Sequence, residues 1–388
     1  MTTTEVLTRS FEERYGRKAE RVYFAPGRVN MIGEHTDYNG GRVFPCALTF
    51  GTCVAVAAND CGKLRFASLD MQETRDIDIA AEWQPIEGKS WVNYALGAIA
   101  QLVKKGTKPA TGYDLLYSGN VPMGAGLSSS AAMEVVTAFA FNDLCNGGFG
   151  RTEIALMSQA AEHEYAGVHC GIMDQFASAQ GRQGHAMYLD CSTLDCEWVP
   201  LDLKGMQIVL ANTKSPHKLS SGVYNERVAQ CRKAVEEIRK VFDIQHLAEL
   251  TPEQFAEAEK LISDNTVLRR ARHVVSEAES TKTAVQALKA GDIGLFGRLM
   301  NESHKSLRDD YEVTGRELDA MAEAAWAEEG VVGSRMTGGG FGGCTVSIVR
   351  DEAVDRFRKN VGEAYKKLTG LTAKFYVALP GDGARRLM

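Results

Sequence analysis

Five of the six residues from Gly338 to Gly343 are glycine, within the run MTGGGFGGC that spans Met336 to Cys344. Glycine loses more backbone freedom on folding than any other residue, so such a run is costly. Close approach of this loop to another backbone or to a ligand would explain the cost; a tight turn at a sheet edge is the plainer alternative. The run formally contains G-x-G-x-x-G at Gly338, Gly340 and Gly343. A dinucleotide-binding fold needs a strand before that motif and a helix after it. Here the following residues, TVSIV, alternate as a strand does, which excludes a Rossmann site.

A second glycine run, GAGLSSS, lies inside PMGAGLSSSAA, Pro122 to Ala132. Its glycines let the backbone come close to a ligand and turn successive N–H groups inward. Its serines then open a helix, where unpaired N–H groups and the helix dipole attract anions. Gly124, Ala125, Gly126, Leu127, Ser128, Ser129 and Ser130 thus form a candidate phosphate cradle. It is not a Walker A loop, which needs G-x-x-x-x-G-K-[ST]. The tempting GKS at Gly88 to Ser90 has Trp83 where the first glycine should stand. By spacing alone, an ordinary loop with a serine-capped helix fits equally well.

Two further segments carry chemistry. Between Gly27 and Gly41, Arg28, Glu34, His35, Asp37 and Asn39 crowd a glycine-rich stretch. Two carboxylates, an imidazole and an amide can hold several hydroxyls of a neutral polyol at once. Glu34-His35-x-Asp37 lacks the helical H-E-x-x-H spacing of a zinc site. In CGIMDQF, Asp174 sits among Ile172, Met173 and Phe176. A carboxylate there either pairs with a cation, for which Arg28 is the candidate, or titrates at unusually high pH. Glu162, His163 and Glu164 share a helix; a zinc site, a solvated face, or one carboxylate helping to hold Mg²⁺ beside phosphates are the three readings.

The pattern along the chain predicts a helix over 8–16, a strand opening at Arg21 to Phe24, and a loop from Gly27 to Gly41. A strand is expected over Thr49 to Ala57, and helices over Trp91 to Lys105, to about Phe141, and over Arg151 to Ala166. After Ser220 the chain reads as mostly helical and charged, with a late sheet from VVGSRM, TVSIV and KFYVAL. The 388 residues suit two domains, divided near residue 190: 1–190 with the acidic stretch and the serine loop, and 191–388 with the third glycine run. A net charge of −6 gives no basic footprint for nucleic acid. Nine scattered cysteines without a C-x-x-C pair fit a reducing cytoplasm. No secretory h-region and no apolar run of membrane-spanning length is visible.

Taken together and in this order, the four segments resemble those of galactokinases, within the GHMP small-molecule kinase superfamily. GRVNMIGEHTDYNGG is similar to the galactokinase signature, PMGAGLSSSAA to the superfamily phosphate loop, and MTGGGFGGC to its third motif. The resemblance runs from about Tyr23 to Tyr376. It implies an α+β, two-domain fold: an N-terminal mixed-sheet domain, a C-terminal domain of helices and antiparallel sheet, and an active site in the cleft between them. It also implies ATP-dependent phosphorylation of galactose at C1, with Mg²⁺, by a cytoplasmic monomer.

Residue by residue, the resemblance gives Asp174 the proton of the C1 hydroxyl, with Arg28 orienting it. Glu34, His35 and Asp37 would hold sugar hydroxyls, with Gly171 and Tyr224 completing the pocket. Gly124 to Ser130 would wrap the ATP phosphates, Ser130 and Glu162 would hold Mg²⁺, and Trp91 and Tyr94 would lie near adenine. The rivals are an N-acetylgalactosamine kinase, an arabinose or galacturonate kinase, and a galactokinase-like sugar sensor without catalysis. The intact Ser130-Ala131 step, Arg28 and Asp174 favour an enzyme over a sensor. A plain α/β protein would require three independent glycine coincidences.

Overall fold

The computed structural model describes residues 3–122, 124–215 and 220–388. Met123, inside the serine-loop run, lies outside the described residues. The strand Pro45–Asn59 shows how the first half is organised. Val54 and Val56 point into a core with Leu96, Ile99, Val135 and Phe176. Cys53, Ala55 and Ala57 point the other way, against Leu7 and Phe11 of the helix Thr3–Tyr15. Alternation along a strand sends successive side chains to opposite faces, so covering both faces demands an almost unbroken apolar run.

This strand is central in a six-stranded sheet. The order is Arg385–Arg386, Arg21–Asn30, Pro45–Asn59, Gly112–Gly119, Lys63–Ser68, Arg75–Asp78. Lys63–Ser68 runs parallel to Gly112–Gly119 while the other pairs are antiparallel, so the sheet is mixed. Helices Val92–Lys104, Ser129–Leu144, Arg151–Ala161 and Met173–Gln180 supply the core on its inner face.

The second half holds a wholly antiparallel sheet of four strands, in order Val331–Thr337, Cys344–Arg350, Met206–Asn212, Lys374–Ala378. Ile208 and Leu210 face a core shared with the first half, where Val29, Met31 and Phe44 meet Val285, Phe296 and Met300. Val209 and Ala211 face the helices Arg316–Trp326 and Val354–Thr369. The long helices Asn265–Lys289 and Ile293–Asp309 follow the helix Ser220–Ile238. The architecture is α+β, with a mixed sheet at one end, helices and antiparallel sheet at the other, and a cleft between.

Four elements differ from the sequence pattern. The strand Arg21–Asn30 runs on through Pro26 and past Gly27, where a loop was expected to begin. The register shifts between Pro26 and Arg28, where Pro26 faces Gly51 and Arg28 faces Ala47, so the extra residues bulge from the partner strand Pro45–Asn59. The helix expected to Ala166 ends at Ala161 and continues as a π-helical turn, Glu162–Ala166. Lys63–Ser68 and Arg75–Asp78 are strands that the pattern did not single out. The division near residue 190 falls inside the hairpin His185–Asp190/Cys196–Pro200, and Arg385–Arg386 return to the N-terminal sheet.

Candidate active site

Three glycine-bearing segments lock together by backbone contact. At Gly338, where φ is +85°, an added Cβ would lie 2.5 Å from the Gly126 carbonyl oxygen. At Gly27 a Cβ would lie 2.5 Å from the Leu127 carbonyl oxygen. Only glycine lets these chains approach so closely, which accounts for the cost of the third glycine run. The contact sets the serine loop between the strand Arg21–Asn30 and the turn that joins Val331–Thr337 to Cys344–Arg350.

The cleft beside this junction encloses about 360 Å³. It is lined by Arg28, Glu34, His35, Asp37, Tyr94, Gly124, Ala125, Gly126, Leu127, Ser128, Ser129, Ser130, Glu162, Asp174 and Tyr224, with Gly338 and Gly339 from the third run. Gly171 lies behind the wall: a Cβ there would come within 2.2 Å of Asp37 Oδ2, so glycine makes room for that carboxylate. Trp91 does not line the cleft. It precedes the helix Val92–Lys104, donates its indole N–H to the Glu73 carbonyl at 3.1 Å, and packs edge-on to Tyr117.

Asp174 occupies the first turn of the helix Met173–Gln180. Arg28 donates to it twice, Nε to Oδ1 at 2.8 Å and Nη2 to Oδ2 at 2.9 Å. The Ser128 hydroxyl donates to Oδ2 at 2.5 Å. Arg28 Nη1 also donates to the Gly126 carbonyl at 2.6 Å. One buried guanidinium therefore ties the carboxylate to the backbone of the serine loop. Ser128 has φ 59°, a left-handed turn that redirects the chain into the helix Ser129–Leu144. The N–H groups of that first turn have no partner within the helix and are available to an anion.

The acidic stretch forms the opposite wall. Glu34 is buried, accepts from Asn30 Nδ2 at 3.0 Å, and accepts from the Gly338 N–H at 2.7 Å. Burial raises its pKa against the opposing pull of Arg335 and Arg28. Burial, then the Asp174 and Glu34 charges, push Asp37 up to about 7. His35 holds a left-handed φ of 62° and pairs through Nδ1 with the Tyr38 hydroxyl at 2.9 Å. Burial, reinforced by His273 and Arg227, holds it neutral, well below the usual histidine range. Its Nε2 has no partner among the described residues. The Tyr224 ring lies 5.6 Å from the His35 ring.

Glu162 enters from the π-helical turn, a device that recurs at functional sites because it re-aims one side chain. Its pKa is raised by burial and by Asp174, and the Ser130 hydroxyl beside it opposes the rise. Gln175 Nε2 bridges Glu162 Oε2 at 2.6 Å and Glu134 Oε2 at 3.1 Å. Burial, then Glu162, drives Glu134 well above the carboxylate range. The neighbours of Glu162 turn elsewhere: Glu164 meets Lys104 and Gln101, and His163 Nε2 meets the Cys170 carbonyl. No group of three or more His, Cys, Asp or Glu among the described residues is placed to hold a metal ion by itself. A serine hydroxyl beside one carboxylate, next to an anion cradle, suits Mg²⁺, which takes one or two carboxylates and completes its shell from phosphates and water.

Sequence reasoning did not single out Asn30, Glu134, Gln175 or Arg335. Glu134 did carry a signal: it is the one acid in SSAAMEVVTAFAF, four residues after Ser130 and so on the same helix face.

Comparison with known proteins follows the same lines. The galactokinase galactose-binding signature matches residues 9–58, the GHMP kinases N-terminal domain residues 93–182, and the GHMP kinases C-terminal domain residues 284–367. A galactokinase of Fusobacterium nucleatum is 48% identical over 387 residues, 99% of each chain. A galactokinase of Bacillus subtilis is 45% identical over 389 residues, again 99% of each. The crystal structure of Lactococcus lactis galactokinase complexed with galactose superposes with a TM-score of 0.96 at 42% identity, covering 100% of both chains. The Methanococcus jannaschii mevalonate kinase shares the fold, with a TM-score of 0.64 at 18% identity over 93% of this chain and 98% of that one. The chain belongs to the galactokinase family of the GHMP kinases.

Proposed function

We propose that this chain transfers the γ-phosphoryl group of ATP to the C1 hydroxyl of α-D-galactose, giving galactose 1-phosphate, the first committed step of galactose utilisation. One observation carries the reading: Asp174 is bonded at once by Arg28, from the strand that leads into the acidic stretch, and by Ser128, from the anion cradle. The nine cysteines are all free, which supports action in the reducing cytoplasm.

The mechanism follows from the geometry. The transition state of phosphoryl transfer is loose, so positioning and charge neutralisation supply most of the catalysis. Glu34, His35, Asp37 and Tyr224, all lining the cleft, hold the sugar hydroxyls. The C1 hydroxyl then faces Asp174. Arg28 fixes that carboxylate relative to the Gly126 backbone, and so relative to the phosphate bound beyond it. Asp174 orients the hydroxyl and accepts its proton as the bond to the γ-phosphorus forms and that phosphorus parts from the β–γ bridging oxygen, which leaves on ADP. Late transfer suits a loose transition state, in which the incoming oxygen is still weakly bonded. The backbone of Gly124 to Ser130 receives the phosphates, and Tyr94 lines the nucleotide side. Ser130 and Glu162 would hold Mg²⁺, which supplies charge neutralisation at the phosphates when bound.

Incubation of the protein with Mg·ATP and galactose, followed by phosphorus NMR, tests the reading. An anomeric phosphate resonance growing with ADP is the expected outcome. Binding of both ligands without that resonance would make the chain a sensor instead.

A further inference from the structure

We propose that Glu277 is a positioning residue for sugar binding: from the C-terminal helix Asn265–Lys289 it grips the backbone of Gly33 and Glu34 and so sets where the Glu34 carboxylate sits in the cleft. The proposal rests on the reading that Glu34 receives sugar hydroxyls.

Glu277 is almost wholly buried, at 1% exposure, and does not line the cleft. Its Oε1 accepts from the Gly33 N–H at 2.9 Å, the Glu34 N–H at 3.1 Å and the Ser303 hydroxyl at 2.7 Å. Arg335 Nη2 lies 3.8 Å from the same oxygen. One turn earlier on the helix, His273 Nε2 donates to the Glu34 carbonyl at 3.1 Å. Because a carbonyl can only accept, Nε2 carries the proton and Nδ1 accepts from the Ser306 hydroxyl at 2.9 Å. Both backbone groups of Glu34 are thus held by one face of one helix. Gly33 sits at φ +98°, where a Cβ would meet the Arg42 carbonyl at 2.7 Å and Thr281 Oγ1 of this helix at 3.1 Å, so the turn packs closely between that strand and the helix.

The same guanidinium serves two acids. Arg335 Nη1 lies 3.5 Å from Glu34 Oε1, and Arg335 is fully buried. Loss of the Glu277 charge would leave Arg335 drawn to Glu34 alone, turning that carboxylate away from the cleft. Buried N–H groups stripped of a charged acceptor are poorly tolerated, so the turn would also shift. The serine loop is reached only at second hand, through the Gly338 N–H that bonds Glu34 Oε1 and lies against Gly126. The consequence is a split that general loosening does not produce: clearly weaker sugar binding beside nearly unchanged nucleotide binding.

Calorimetric titration of the full-length protein with D-galactose and, separately, with ADP tests this. In Glu277→Gln, the galactose dissociation constant and KM should rise by about tenfold, the loss of one charge-assisted contact. The ADP constant should stay within about twofold. Ser303→Ala removes one donor and keeps the amide bonds, so it should move galactose by about threefold and carries the test if Glu277→Gln does not fold. Equal weakening of both ligands, or no change in galactose for either variant, would overturn the proposal. Failure of the unaltered protein to bind galactose would instead remove the sugar reading on which it stands.

Discussion

At the scale of single residues, the Arg28–Asp174–Ser128 cluster separates chemistry from binding. Asp174→Ala removes the group that faces the reacting hydroxyl but leaves Glu34, His35 and Asp37 in place. Turnover should fall by about 10²–10⁴-fold or more, the usual range for a general base, while galactose still binds by calorimetry. Near-normal turnover would exclude Asp174 from the reaction. Asp37 gives a pH signature. Its pKa is pushed up to about 7 by burial and by Asp174 and Glu34, against an ordinary value near 3.8. An acid raised on folding adds stability at low pH and loses it as pH rises through the folded value. The Asp37→Asn variant does not titrate, so its stability relative to the parent should improve between pH 4 and pH 8 by a few kcal/mol, about 1.4 kcal/mol per unit. Urea unfolding at several pH values measures this, and a difference that is flat across the range would contradict the buried, ionising carboxylate. The residue types that line the cleft were legible because they crowd into short runs. Their supports were not: Gln175 meets Glu134, 41 positions away, and Glu277 meets Gly33, 244 positions away. A place for Trp91 near adenine is implied by resemblance alone; its indole bonds the Glu73 carbonyl and packs against Tyr117.

At the scale of elements, glycine does two different jobs that composition cannot distinguish. Gly338 and Gly148 both have positive φ, +85° and +73°. Gly148 has open space around it, whereas a Cβ at Gly338 would collide with the Gly126 carbonyl. Gly148→Ala should therefore cost only the left-handed penalty, about 1–2 kcal/mol. Gly338→Ala should cost more and also displace the serine loop, weakening ADP binding, which thermal melts and titration would show together. If the two substitutions behave alike, backbone interlocking does not set the loop. The same scale explains what the pattern missed. Gly27 to Asn30 read as the start of a loop, yet a bulge in the partner strand lets Arg21–Asn30 continue through them. Arg75–Asp78 is the edge strand, with Arg75, Asp76 and Asp78 exposed, and its neighbour Lys63–Ser68 carries only the short alternation of Leu64 and Phe66 between charged residues, too brief a run to stand out. The π-helical turn at Glu162 continues a regular helical pattern, and nothing local announces the extra residue in the turn.

At the scale of the whole molecule, the two halves do not part cleanly. The core that joins Val29 and Phe44 to Phe296 and Val346 draws on both, and the hairpin around residue 190 lies across the division. The chain end closes the arrangement: Arg386 pairs with Tyr23 and Arg385 with Phe24, Val22 bonds the backbone of Leu387, and Ala384 is fully buried in the N-terminal core. Large two-domain chains often unfold in separate steps. Here neither half can lose its structure without exposing the shared core and freeing an edge of the first sheet, so heat should unfold the protein in a single calorimetric transition. Deletion of residues 383–388 removes the outermost strand from that sheet. A loss of about 2–3 kcal/mol is expected from the exposed edge and the vacated Ala384 site, lowering Tm by about 2–4 °C at this chain length. The truncated protein should still melt in one step, because the shared core remains. Two resolved transitions in the intact chain would show that the common core is too weak to couple the halves. An unchanged Tm after truncation would show that the returning strand adds nothing to the sheet it borders.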